Sequence, residues 1–387
     1  MRPPRGIMLV WELEARAGGL NWKDRDAMWQ FRNDYSEGAA PEILEALVRS
    51  NGEQTPGYGE DSHCERAAEL IRAEIGQPDT CVTFVPGGTP ANILAITSLT
   101  EEFEGPICAA DAHPTIHETG AIEARGRRLL ATTDPFGILT PEAAEVTYRD
   151  MMATGCHTTR PGMIHLADTS EFGHVYTRAE FDALCDWASG YELAVYVDGA
   201  RMGSAMMAVG GDLDIRHIAE RADIFTLGGT KNGMLFGEAL VVNPRTARGQ
   251  RAIDRLPYLT KRAGSLMAKG RLAGVMCEAA FDPANADAAG VLPYWRYAAH
   301  ANACAIKLAQ GLASCGFEQA VATNGNQQFA WATPEEAARF DEACGAETMV
   351  AHDPTGAGRV MVRFVTSWAT PESAVDELVE LARSMRA

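Results

Sequence analysis

The sequence predicts an α/β protein: a large domain built on a mostly parallel sheet, followed by a smaller α+β domain at the C-terminal end. Three observations carry this. Through the middle of the chain, short apolar runs alternate with amphipathic stretches, the pattern that βαβ units leave in a sequence. After about Asn243 that alternation gives way to long helical stretches with scattered strands. Hydrophobic residues make up 46% of the 387 and charged residues 22%, which suits a globular chain and excludes a disordered, collagenous or coiled-coil one.

Strands are expected over 81–86, 107–111, 163–168, 193–198 and 223–228, with a further one possible over 238–243. Their apolarity on both alternating faces is that of strands covered on both sides. Three of the five end in aspartate (Asp111, Asp168, Asp198), and in open α/β sheets ligands bind beyond the carboxyl ends of the strands. Chemistry is therefore sought there. Beyond the sheet, 245–280 reads as largely helical, 282–293 as a Pro/Ala/Gly/Asp loop and 294–315 as a long helix. A strand over 329–333, a helix over 334–346, a strand over 359–365 and a last helix from Pro371 complete the chain. Three domains follow: an N-terminal extension over 1–35, the large domain over 36–265 and the small one over 266–387. Trp11, Trp22 and Trp29 make the extension too aromatic for a disordered tail, so it is expected to pack on the body or on a neighbouring subunit.

The net charge of -18 and the absence of clustered Lys and Arg argue against a nucleic-acid partner and against a membrane surface. No apolar run approaches the roughly 18–20 residues of a membrane helix. The nine cysteines are scattered, with no C-x-x-C, so neither a disulfide framework nor a metal site is indicated; buried thiols in the cytoplasm are expected.

Three motifs point to chemistry. In VPGGTPAN (85–92) a strand ends, two glycines turn the chain, and Thr89 opens a helix with Pro90 at its first position. Helix N-terminal N–H groups beside a hydroxyl suit a phosphate monoester, although a plain Thr cap has the same sequence. In VYVDGAR (195–201) Asp198 ends a buried strand, as a helix cap or as a working carboxylate. In LGGTKNG (227–233) Lys231 follows another buried strand among glycines. A lysine there is either solvated or has a lowered pKa that lets its amine bond to a carbonyl. Together, an anion cradle, a strand-end aspartate and a lysine 33 residues later are the groups pyridoxal 5′-phosphate requires for its phosphate, ring nitrogen and aldehyde.

At this point a family likeness enters. FRNDYSEGAAPEIL, GYGEDSHCERAAELI, VPGGTPANILAI, DAHPTIHETGAIE, VYVDGARMGSA and GGTKNG together resemble the L-threonine aldolase group of the β-eliminating lyase family, fold-type I enzymes that use pyridoxal 5′-phosphate. The resemblance runs from about Phe31 to near the C-terminus. It implies a homodimer or homotetramer with shared active sites, and an amino acid as substrate. It makes Lys231 the Schiff-base lysine and Asp198 the partner of the pyridine nitrogen. Gly88 and Thr89 fall on the phosphate loop, Arg201 lies beside the cofactor, and His113 stacks on the ring. Arg363 grips the substrate carboxylate, aided by Ser36 or Asn33, and Tyr58 lies near the neighbouring subunit's site. Of Lys261, Arg262 and Lys269, either a solvated helix face or a phosphate contact is implied, with Lys269 favoured for the latter.

Two of these have independent support. His113 follows the strand over 107–111 at the ligand-binding edge, and Arg363 interrupts an apolar strand, where a guanidinium needs an anion. One segment departs from the family pattern. Where many members carry a histidine assigned to the substrate hydroxyl, this chain reads ADTSEFGHVY, with Ser170 or Glu171 near that position and His174 beyond. The order of candidates for the hydroxyl contact is His113, Glu171, His174. The expected reaction is cleavage of a β-hydroxy-α-amino acid to glycine and an aldehyde. A β-eliminating lyase or aminotransferase of the same fold needs the same groups, and a cofactor-free α/β binding protein stands as the alternative from another class.

Overall fold

The protein is described by a computed structural model covering residues 28–133, 138–349 and 353–386. The first 27 residues of the expected N-terminal extension lie outside the described residues. A seven-stranded sheet forms the body, in the order β1-β7-β6-β5-β4-β2-β3. Its strands are β1 (Cys81–Val85), β2 (Glu104–Cys108), β3 (Leu130–Ala131), β4 (Arg160–Ala167), β5 (Ala194–Asp198), β6 (Ile224–Gly228) and β7 (Glu238–Val242). From β3 to β6 neighbouring strands are parallel, and β7 runs antiparallel between β6 and β1.

The uniformly apolar strands are explained by two cores, one on each face. Ile107, Ile164, Val195, Val197, Phe225 and Val241 point into one cluster, while Val85, Met163, Ala194, Tyr196, Ile224 and Leu240 point into another. On that second face lies the helix Gly88–Leu99, with residues buried on every side between the sheet and the helix Ala247–Ala263. A helix with no polar face belongs in such a position. The second expected strand spans 104–108 and not 107–111; it ends early because the chain already turns at Ala109, whose carbonyl accepts from Ala112 N at 3.2 Å. Asp111 is therefore in the loop beyond the strand.

The smaller sheet is antiparallel, in the order β10-β11-β9-β8, with β8 (Glu318–Val321), β9 (Gln327–Ala332), β10 (Glu347–Met349) and β11 (Val360–Val365). Ala330, Val362 and Phe364 bury one of its faces against Leu308, Phe340 and Leu378 of the surrounding helices. Phe31, fully buried, joins this cluster with Met28 and Trp29 packed beside it. Burying such a side chain stabilises the fold by about 1.5–3 kcal/mol. Phe31 is also stitched by its backbone to Cys344 and Val365, both at 2.8 Å. From there the chain crosses to the large body, where Ala40 N donates to Gly233 O at 2.8 Å. The segment 33–36 is thus stretched across the junction between the two sheets. The helix Arg271–Phe281 and the start of the helix Pro293–Ser314 pack into the larger core through Val275, Phe281, Tyr294 and Tyr297. Among the described residues no helix is long and apolar enough to cross a membrane.

Candidate functional site

Two glycines fix the geometry at the carboxyl edge of the sheet. A Cβ on Gly199, the residue after Asp198, would stand 2.0 Å from Thr226 O, and one on Gly228 would stand 2.3 Å from Ala200 O. Gly228 N donates to Gly199 O at 3.0 Å. Only glycine lets these two strand ends meet, and their meeting sets the loop of Asp198 beside the loop of Lys231.

Asp198 is buried. Its Oδ1 accepts from Ala200 N at 3.1 Å and its Oδ2 from Asn92 Nδ2 at 3.1 Å. His165, fully buried in β4, stands with Nε2 3.8 Å from the same Oδ2, and neither of its ring nitrogens has a hydrogen-bond partner among the described residues. Burial pushes the Asp198 carboxyl up. Contact with His165, the hydrogen bond from Asn92 and the charge of His113 outweigh that, and the carboxyl lies well below its usual range. It stays ionised.

Lys231 is half-buried in the turn after β6, where Gly229 N and Thr230 N both donate to Gly237 O. Desolvation, then the charge of Arg201, lower its pKa, while Asp34, Glu171 and Asp198 pull it back up. Glu238, buried at the start of β7, accepts from Gly229 N at 3.1 Å, and burial pushes its carboxyl up. Arg201 is buried and held by Asp34 in a two-pronged pair, Nε to Oδ2 at 2.7 Å and Nη2 to Oδ1 at 3.1 Å; Asn326 Nδ2 adds a third bond to Oδ2 at 2.9 Å.

His113 opens the short helix His113–Ile116 with Nδ1 2.8 Å from Glu118 Oε1. Asn92 Nδ2 reaches the same oxygen at 2.7 Å, so His113, Glu118, Asn92 and Asp198 form one chain of contacts, with the Tyr196 hydroxyl donating to Asn92 Oδ1 at 2.8 Å. The hydrogen bond to Glu118 raises the His113 pKa against the pull of burial, helped by the charges of Glu171, Glu118 and Asp198. At the other edge, Gly87 caps the helix Gly88–Leu99 and no side chain caps it. The helix therefore begins one residue before Thr89, which lies inside the first turn and does not cap it. A Cβ on Gly87 or Gly88 would meet nothing within 4 Å, and no acidic residue occupies that turn. The uncapped helix N-terminus and its open approach suit an anion.

The structure thus gathers Lys231, Asp198, Arg201, His113 and Glu171 by mutual charge interactions. Other expected residues share no hydrogen bond or ion pair with that group among the described residues. Arg363 lines a cleft of about 430 Å³ with Asn33, Tyr35 and Glu347, and it is ion-paired with Glu347, its partner across β10 and β11. Ser36 donates to Asn33 Oδ1 at 2.9 Å beside that cleft. Tyr58, exposed, has Lys261 Nζ 5.2 Å from its ring centroid, and its N–H donates to Ala268 O at 3.2 Å. Lys269 is exposed in the adjoining turn, and Arg262 is exposed on the same helix as Lys261. No hydrogen bond, ion pair or ring contact joins Tyr58, Lys261, Arg262 or Lys269 to Lys231 or Asp198 among the described residues. His174 is half-buried, its Nε2 3.3 Å from Glu180.

Residues 30–356 match the beta-eliminating lyase family. The chain belongs to that family. Within it, the low specificity L-threonine aldolase of Pseudomonas sp. (strain NCIMB 10558) is 30% identical over 367 residues, spanning 93% of this chain and 99% of that protein. The solved threonine aldolase of Leishmania major superposes with a TM-score of 0.85 at 32% identity, covering 93% of this chain and all of that one. A Thermus thermophilus aspartate aminotransferase shares the fold alone, with a TM-score of 0.65 at 15% identity over 99% of this chain and 97% of its own. The protein is thus a lyase of the fold-type I class, and family and fold imply pyridoxal 5′-phosphate as cofactor. The residues present fit that group: an amine of lowered pKa, a carboxylate held ionised, and a helix N-terminus open to an anion.

Asp34, Asn92, Glu118, His165 and Glu238 are the parts of the site that sequence reasoning missed. Asn92 and Glu118 were inside quoted motifs, and His165 breaks an apolar strand. That interruption was a usable signal; Asp34 too lay inside a quoted motif, but it owes its importance to Arg201, 167 positions away.

Proposed function

We propose that the protein is a pyridoxal 5′-phosphate-dependent aldolase that cleaves β-hydroxy-α-amino acids of the L-threonine, L-allo-threonine or phenylserine type to glycine and an aldehyde. The observation that carries this reading is the placement of Lys231 beside Asp198, its pKa lowered chiefly by burial. In it, Lys231 would hold the cofactor aldehyde, Asp198 the pyridine nitrogen, Gly88 and Thr89 the phosphate, and His113 the ring. When bound, the cofactor supplies an electron sink for the pair released at Cα when the Cα–Cβ bond breaks.

The chain's own residues supply the rest. The lowered pKa of Lys231 favours a neutral Nζ, which can act as nucleophile and later accept a proton. Asp198, ionised because its contacts offset its burial, holds a proton on whatever nitrogen it faces. Arg201, pinned by Asp34, cannot swing away. Arg363, assisted by Asn33 and Ser36, holds the substrate carboxylate and so selects the bond that stands ready to break. Tyr58 and Lys269, both exposed, would serve a neighbouring subunit's site, as in a homodimer or a homotetramer. Nine free cysteines suit a cytoplasmic setting. The test is a panel assay of the holoprotein with both diastereomers of threonine and of phenylserine. Glycine plus aldehyde supports the aldolase; an α-keto acid from an amino acid would replace it with a β-eliminating lyase or an aminotransferase.

A further inference from the structure

Breaking a Cα–Cβ bond next to a β-hydroxyl needs a group that takes the hydroxyl proton, and three side chains lie in the right part of the chain: His113, Glu171 and His174. We infer that Glu171 is this base, an inference that rests on the aldolase reading above. His113 is already committed. Its Nδ1 is engaged by the buried Glu118 at 2.8 Å, and through Glu118 the ring is tied to Asn92 and Asp198, so it is held in the network beneath the site. His174 has its Nε2 3.3 Å from Glu180 and its ring edge against Tyr176.

Glu171 differs from both. It is 9% exposed, and among the described residues its carboxylate makes no hydrogen bond and no ion pair. Its charge nevertheless bears on His113, Arg201 and Lys231, which places it among the site's cations. The other carboxylates that interact with Lys231 are occupied: Asp34 by Arg201 and Asn326, Asp198 by Ala200 and Asn92, and Glu238 by Gly229. Neither of its oxygens is sealed off from solvent, so a substrate hydroxyl can reach the carboxylate. Its backbone is held in place. Ser170 N donates to His174 O at 3.0 Å, Gly173 N donates to Ser170 O at 2.9 Å, and Phe172 packs on Phe329 with centroids 5.9 Å apart.

In the step assigned to it, the β-hydroxyl proton passes to a Glu171 oxygen. The former O–H pair becomes the second C–O bond of the aldehyde, and the Cα–Cβ pair remains with Cα. One proton then enters at Cα to give glycine, and Glu171 returns its proton to Cα or to water, ending as the carboxylate it was.

The test is Glu171→Gln in the holoenzyme, an exchange that keeps shape and removes the basic oxygen. Expected are an unchanged visible band of bound cofactor, unchanged glycine affinity by spectral titration, and unchanged exchange of the glycine Cα hydrogen with solvent, since glycine has no hydroxyl. Threonine cleavage should fall by about 10²- to 10⁴-fold. Glu171→Ala should behave alike and regain cleavage with added formate. Cleavage by Glu171→Gln within about tenfold of wild type would overturn the assignment. A parallel loss of glycine affinity and exchange would also overturn it, since Glu171 would then hold the site and not the hydroxyl. Failure of the wild-type protein to release glycine from any β-hydroxy amino acid would instead overturn the aldolase reading itself.

Discussion

Asp34→Asn removes the charge against which Arg201 is set. Asp34 has a side chain fully shielded from solvent, Arg201 is 7% exposed, and two bonds of 2.7 and 3.1 Å join them. Removing one partner of such a pair strands the other, at a cost of about 3–5 kcal/mol. The amide keeps one acceptor oxygen, so the lower figure applies, about 3 kcal/mol. Urea unfolding of the apoprotein reads this directly. With a slope at or above about 3 kcal/mol per molar for a chain of this size, the midpoint should fall by up to roughly 1 M.

The pH dependence has a definite sign. Burial pushes the Asp34 carboxyl up, but the charges of Arg201 and Lys231 and the bonds from Arg201 and Asn326 outweigh it, so the folded pKa lies below the unfolded one. A depressed carboxyl stabilises the fold above its unfolded pKa, near 3.9, and loses that contribution as pH falls through its folded value. The gap between wild type and variant should therefore be full at neutral pH and shrink below about pH 4. Adding Arg201→Met to Asp34→Asn should recover part of the loss, because no buried charge is then left alone. A loss under about 1 kcal/mol, the level of an exposed pair, or a gap that ignores pH, would refute the reasoning.

Three other outcomes are expected. Lys231→Ala should lose all turnover and the visible band while the apoprotein melts no earlier than wild type, since the amine is desolvated and contributes no packing; normal aldolase rates would count against it. Asp198→Asn should bind cofactor yet lose most activity, and near-full turnover would remove the carboxylate from its role. Glu347→Gln frees Arg363 from its ion pair, so KM for amino acids should fall by about two- to fivefold, the worth of a partly exposed pair, with kcat unchanged; a KM that stays or rises would mean that Arg363 serves Glu347 and not the substrate.

The body of the fold was legible because its strands and helices carry their own periodicity. The strand ending in Asp198 and the one leading to Lys231 begin within a residue of expectation, since two-faced burial demands unbroken apolar runs. What stayed hidden has little local signature. β8 and β10 have exposed or half-exposed residues at a sheet edge, and β3 is two residues long, so none of them shows an apolar run. In the site, Lys231 and Asp198 were visible because a lysine among glycines and a strand-end aspartate stand out against apolar neighbours. Asp34 and Glu118 were not, because their meaning comes from partners elsewhere in the chain. For Arg363, the apolar strand correctly demanded an anion, but the sequence could not choose between a substrate and Glu347.

Reduction of the cofactor-loaded protein with borohydride, followed by peptide mass mapping, interrogates the covalent anchor itself. A phosphopyridoxyl group on the peptide containing Lys231, absent from Lys231→Ala, is the predicted result. Its appearance on another lysine, or on none after incubation with pyridoxal 5′-phosphate, would contradict the assignment of this site.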